Sequence, residues 1–193
     1  MRSVSTTTNC RIFFLFSIIL LIGNSARAQE NSPYSRYGLG DMVPGQNIVN
    51  RAMGGVSAAY YDPVTVNFMN PASYARLKYT TFDVGIDYTG RTLKATDPVR
   101  TLNSGYLIPS YIQVGLPLSK KNNWGMNIGL RPVTRINYEL QQTTRLPGID
   151  SVLTSFSGQG GSYQAYLGTG IGSKHFTVGV NAGYTFGSKN YIT

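Results

Sequence analysis

Along residues 124–140 every second position is apolar or nearly so: Trp124, Met126, Ile128, Leu130, Pro132, Thr134, Ile136, Tyr138 and Leu140. Between them stand Gly125, Asn127, Gly129, Arg131, Val133, Arg135, Asn137 and Glu139. Successive side chains of a strand point to opposite faces, so this pattern predicts a strand with one apolar and one wet face. A helix would scatter both sets around its circumference. The run exceeds the usual strand length of about 5–6 residues. At roughly 3.3 Å per residue it is long enough to cross a hydrocarbon layer at a tilt.

The alternation recurs. Phe82, Val84, Ile86 and Tyr88 oppose Thr81, Asp83, Gly85, Asp87 and Thr89; Ile112, Val114, Leu116 and Leu118 oppose Tyr111, Gln113 and Gly115. Tyr163, Ala165, Leu167, Thr169 and Ile171 make a weaker strand. Phe176, Val178, Val180, Ala182, Tyr184 and Phe186 then oppose Thr177, Gly179, Asn181, Gly183 and Thr185. The links read as irregular and long over 90–108, short over 119–123, long and Gly/Ser/Thr-rich over 141–161, and short over 172–175.

Strands of about ten residues, joined by links that alternate long and short, have the rhythm of outer-membrane barrels. A secreted soluble β-protein also alternates its faces, but with shorter strands and less regular links. The expectation is an all-β chain: a transmembrane antiparallel β-barrel of which about five strands are present. Closing such a barrel takes at least eight strands. The chain therefore reads as the N-terminal part of a longer protein or as a truncated gene product.

Two segments precede the strands. Arg2 and Arg11 come before the apolar run 12–22, and Ala26-Arg27-Ala28 follows it. This is the layout of a secretory signal peptide over 1–28, with cleavage before Gln29. The run is too short for a membrane-spanning helix. From 29 to 78 there is little periodicity: turn formers, a small-residue run and the pairs Asp62-Pro63 and Asn70-Pro71 make an N-terminal plug or hatch segment. Residues 79–193 then hold the barrel strands. Export and strands of this length point to the outer membrane, with its lipid bilayer as partner.

Composition narrows the chemistry. Cys10, the only cysteine, leaves with the leader, so the exported chain has no disulfide or thiolate site. The formal net charge of +9 falls when Arg2, Arg11 and Arg27 are removed, and no basic cluster suggests nucleic acid. His175, the only histidine, stands in a tight turn. No nucleophile–base pairing, phosphate loop or metal spacing is present, so neither catalytic residues, a metal nor another cofactor is expected.

The residues from 50 to 75 carry a resemblance. Arg51-Ala52-Met53-Gly54-Gly55, Asp62-Pro63, Asn67 and Asn70-Pro71-Ala72 resemble the plug of the long-chain fatty acid transporter (FadL/TodX-type, OMPP1) outer-membrane family, and Ser32-Pro33-Tyr34-Ser35-Arg36-Tyr37-Gly38 is similar to the start of its mature members. The resemblance implies a fourteen-stranded barrel with a hatch in its lumen, a hydrophobic small-molecule ligand and uptake of hydrophobic compounds such as long-chain fatty acids. Related barrels imply the alternative, a non-transporting barrel with a structural or protein-secretion accessory role.

Three sets of residues stand out. Asn70, Pro71 and Ala72 would pin the hatch to the wall, or simply form a turn before a strand. Pro132 cannot donate to a ladder, so it marks an interruption of the wall or a bulge at the membrane rim; in the resembling family a kink in the third strand makes the lateral opening. Asp83, Asp87, Arg131, Arg135 and Glu139 share the wet face and form a candidate lumen charge network, bracing the hatch or lining the bore.

Overall fold

The structure, a computed structural model, describes residues 31–96, 99–146 and 148–192. The expected leader and Cys10 lie outside them. The chain is mostly antiparallel sheet with almost no helix. Strand β1 is Asp41–Met42, β2 Thr81–Thr96, β3 Val99–Ser119, β4 Trp124–Leu146, β5 Ile149–Gly172 and β6 Thr177–Ile192. Before β2 come a 3-10 turn over Pro33–Arg36, a short helix α1 over Ile48–Ala52 and a second 3-10 turn over Pro71–Arg76. The long strands follow one another in the order β2-β3-β4-β5-β6, and β1 pairs with β4 off that path. The sheet is not closed.

The long irregular links expected over 90–108 and 141–161 are strand instead. Pairing of β2 with β3 continues to Thr96↔Val99, and that of β4 with β5 to Leu146↔Ile149. These distal parts are largely exposed on both faces. Without a buried side there is no alternation to read, although the backbone ladder persists.

The expected face assignment of β4 also changes partway. Pro132↔Tyr163 is followed by Thr134↔Ser162, which makes Val133 an extra residue. One inserted residue reverses which set points where. Gly125, Asn127, Gly129 and Arg131 are therefore joined on their side by Thr134, Ile136 and Tyr138, and not by Arg135 and Asn137 as strict alternation would have it. Ile136 and Tyr138 are buried there. A second register shift, between Gly85↔Tyr111 and Ile86↔Pro109, leaves Ser110 extra in β3.

The two faces differ. On one, cross-strand rows such as Phe82, Val114, Ile128, Leu167 and Ala182, or Val84, Ile112, Leu130, Ala165 and Tyr184, run unbroken over all five long strands. Phe82, Ile128, Leu167 and Tyr184 are exposed, so among the described residues this face is an apolar belt without a protein cover. On the other lies the segment before β2. Its Val66, Tyr74 and Leu77 form one buried cluster, and its Phe68 packs between Tyr111 and Tyr166 of the strands. Both Tyr rings stand 5.5–5.7 Å from Phe68, centroid to centroid.

The sheet is also split. The ladder between β3 and β4 runs from Ser119↔Trp124 to Ile112↔Leu130 and ends there. Beyond it β4 pairs with β1 through Asp41↔Arg135 and Met42↔Thr134. Val43 N–H donates to Val133 O at 3.0 Å, and Ser32 N–H to Asn137 O at 2.9 Å. The N-terminal backbone thus supplies hydrogen bonds that β3 does not.

Candidate functional site

The functional geometry lies between the N-terminal segment and the face it covers. It starts from glycine. Gly125, Gly170 and Gly179 are cross-strand neighbours in one row over β4, β5 and β6. The second 3-10 turn lies directly on that row. A Cβ at Gly170 would run into the carbonyl of Pro71, one at Gly179 into the Pro71 and Ala72 backbone, and one at Gly125 into the carbonyl of Tyr74. Asn70 precedes this turn, and Pro71 opens it, where a missing N–H costs nothing. Asn70 Nδ2 donates to Ala58 O at 2.7 Å, and Asn67 Nδ2 to Ser57 O and Tyr60 O, which folds the small-residue run back on the turn. The Asn70-Pro71-Ala72 tripeptide therefore touches β5 and β6 through backbone.

Above the glycines the contact becomes polar. Tyr74 Oη donates to Asn181 Oδ1 at 3.0 Å and accepts from Asn127 Nδ2 at 3.3 Å. Gln113, almost fully buried, accepts from Tyr166 Oη at 2.9 Å and Asn127 Nδ2 at 3.2 Å. Its own Nε2 donates to Val66 O and to Asp83 Oδ2, each at 3.0 Å. Burial pushes the Tyr74 phenol above its ordinary value of 10.0, against the opposing effects of the Asn127 and Asn181 hydrogen bonds and of the Arg131 charge. Buried polar groups of this kind are satisfied only in one arrangement, so they fix the register of segment on sheet.

At the split the contact becomes ionic. Asp41 in β1 pairs with Arg91 of β2 at 2.8 Å, and Ser32 Oγ donates to the same carboxylate at 2.6 Å. Arg51 of α1 pairs with Asp87, which also accepts from Ser110 Oγ. These groups surround a cavity of about 220 Å³ lined by Asp41, Arg51, Asp87, Arg91, Tyr106 and Arg135, among others. The Arg91 and Arg135 guanidinium groups lie over the Tyr106 ring at 5.8 and 5.6 Å.

The five charged residues proposed as one network are therefore distributed. Asp87 and Arg135 meet at this cavity. Asp83 serves the Gln113 amide and the Tyr111 hydroxyl. Arg131 donates to Gln164 Oε1 at 2.9 and 3.1 Å and to Gly45 O at 3.1 Å, over the Phe68 ring. Glu139 is exposed, and its backbone, not its carboxylate, is tied to Asn31. Pro132 stands two residues past the last β3–β4 pair, beside the extra Val133.

Asp41, Arg91, Tyr74 and Asn181 were not singled out by sequence reasoning. A glycine on the polar side of three successive strands was a legible signal for the docked turn. Nothing in the sequence paired Asp41 with Arg91. Among the described residues no three His, Cys, Asp or Glu side chains are grouped to hold a metal, and no helix is long and apolar enough to cross a membrane. His175 is exposed in its turn.

A family model described as BamG matches residues 10–193. No curated protein and no solved structure matches the chain. The matching family is not the FadL/TodX-type transporter family, so the resemblance drawn from the Asn-Pro-Ala segment is overturned. With it falls the fatty acid uptake that the resemblance implied. A Gly-rich run and an Asn-Pro-Ala turn are short local signals that a segment outside that family can carry, which is why they misled.

Proposed function

The chain belongs to the BamG family, and from that premise we propose that it has an accessory, non-transporting role at the outer-membrane β-barrel assembly (Bam) complex. Membership associates it with the cell envelope. The finer reading is that the apolar belt faces the lipid bilayer of the outer membrane, that the long strands are a section of barrel wall, and that the segment over 29–78 is its hatch. An export signal over 1–28 fits this location. No catalytic role, cofactor or nucleic-acid partner enters the reading.

The belt is the observation that carries it. From Tyr163 to Ile171 its width along β5 is roughly 26 Å at 3.3 Å per residue, and at a tilt of about 35–45° it covers roughly 20 Å, which fits within an apolar band about 25 Å tall. Trp124 and Phe176 stand at one end of it, and Tyr163, Tyr184 and Phe186 toward the other. Aromatic rings at both edges suit two water–lipid interfaces. The covered face supports an accessory role over uptake. Its apolar clusters, Val66 with Tyr74 and Leu77 and Phe68 with Tyr111 and Tyr166, are already filled by the segment, and the remaining contacts are amides, hydroxyls and ion pairs.

The test is isolation of the full-length protein from outer membranes in mild detergent. Co-isolation of the central Bam barrel subunit is expected, together with reduced outer-membrane protein levels when the gene is deleted. A protein that migrates alone, with labelled fatty acid uptake lost on deletion, would overturn the reading.

A further inference from the structure

We propose that the cleft between the second 3-10 turn and the β3–β4 reversal binds the phosphate of an anionic phospholipid headgroup. The proposal rests on the reading of the apolar belt as lipid-facing. The cleft has a volume of about 280 Å³ and is lined by Arg76, Lys78, Tyr79, Lys120 and Asn123, among others. Among the described residues no carboxylate lines it.

The cations are positioned. Arg76 Nη2 donates to Ser173 O at 3.3 Å and Lys174 O at 2.9 Å, and its guanidinium lies 5.8 Å from the Tyr61 ring. The second 3-10 turn is thereby tied to the β5–β6 reversal, and a planar cation stands at the cleft. The Lys120 ammonium is 5.9 Å from the Tyr79 ring. Lys121 and Lys174 continue the positive charge along the two reversals. Three cations without a countercharge favour an anion, and a guanidinium matches the geometry of phosphate oxygens.

Position decides which phosphate. Leu118 and Trp124, exposed at the edge of the belt, flank the β3–β4 reversal that forms one side of the cleft. A lipid seated at this end of the belt would present its phosphate to Lys120 of the reversal and, across the cleft, to Lys78. A zwitterionic headgroup brings its own ammonium against these lysines, so a net negative lipid is preferred.

Trp124 is the only tryptophan, and it reports on this edge. The full chain is placed in phosphatidylcholine vesicles that contain a minor fraction of brominated phosphatidylglycerol, or of brominated phosphatidylcholine, and quenching of Trp124 is measured. The effective affinity of the anionic lipid should exceed that of the zwitterionic one by about fivefold for each cation engaged. The Lys78→Gln/Lys120→Gln double variant, checked for unchanged circular dichroism, should lose most of that preference. A double variant with an undiminished preference overturns the site. Equal quenching by both lipids overturns it while leaving the belt reading intact; quenching by neither overturns the belt reading itself. If inorganic phosphate abolishes the preference in the wild type, the ligand is the free ion and the lipid assignment fails.

Discussion

Arg91 holds Asp41 at 2.8 Å, and by doing so ties β2 to a two-residue strand that is hydrogen-bonded to β4. The ion pair spans the place where β3 and β4 have parted. A sheet split in this way would leave backbone groups without ladder partners. Here the N-terminal segment meets part of that need, by backbone on the β4 side and by charge on the β2 side.

Asp41→Asn should therefore loosen β1 without unfolding the long strands. Both partners are about one-third exposed, which screens the pair. Hydrogen exchange at Val43 and Ser32 is expected to accelerate by up to about tenfold, corresponding to ~1 kcal/mol or slightly more. Exchange along the β4–β5 ladder should stay unchanged.

Gly179→Ala and Gly90→Ala should have opposite signs. At Gly179 a methyl group meets the Pro71–Ala72 backbone, whereas at Gly90 its nearest neighbour is the Tyr88 ring at 3.7 Å, an ordinary contact. The first should destabilise docking of the segment by about 1–3 kcal/mol. The second should stabilise by up to ~1 kcal/mol, through the lower freedom of alanine in the unfolded chain. Limited proteolysis of the segment measures the first, and thermal unfolding in detergent both.

Tyr74→Phe removes the hydroxyl that Asn127 and Asn181 share. The loss of a buried partner should cost about 1–3 kcal/mol, seen as faster exchange over the second 3-10 turn. The wild type also carries an alkaline limit. With its folded pKa raised above 10.0, the neutral phenol stabilises the docked state fully below that value. This contribution is lost as pH rises through the folded pKa, so the segment should become protease-sensitive at alkaline pH. In Tyr74→Phe that Tyr74-dependent alkaline step should be absent.

Leu167→Lys tests the belt. A lysine at the middle of a lipid-facing strand costs about 2–4 kcal/mol, so assembly into membranes and heat-modifiable migration should fall. Thr185→Lys, on the opposite side of the sheet by its pairing with Gln164, should be tolerated better.

The strands were legible because half-buried β-structure writes its two faces into the sequence. Phe82, Val114, Ile128, Leu167 and Val180 were all placed correctly on the apolar side by alternation. The reading failed where its physical cause stops. Beyond Gly90 and Gln141 both faces are wet, so a strand and a loop have the same composition. At Val133 a single extra residue changes the side on which Ile136 falls, and an inserted residue carries no marker apart from the neighbouring Pro132. The docking of the N-terminal segment depends on contacts between residues far apart in sequence, such as Tyr74 with Asn181, which a local pattern does not record.

The glycine row also constrains the order of events. Its three members come from β4, β5 and β6, so the seat for Pro71 and Ala72 does not exist until those ribbons have joined. A stretch made before the strands must wait for polypeptide that lies up to about a hundred positions behind it. Until then Tyr74 lacks Asn127 and Asn181, and Phe68 lacks Tyr111 and Tyr166. The segment arrives early and is installed late, and its docking reports that the strands beneath it have paired in register.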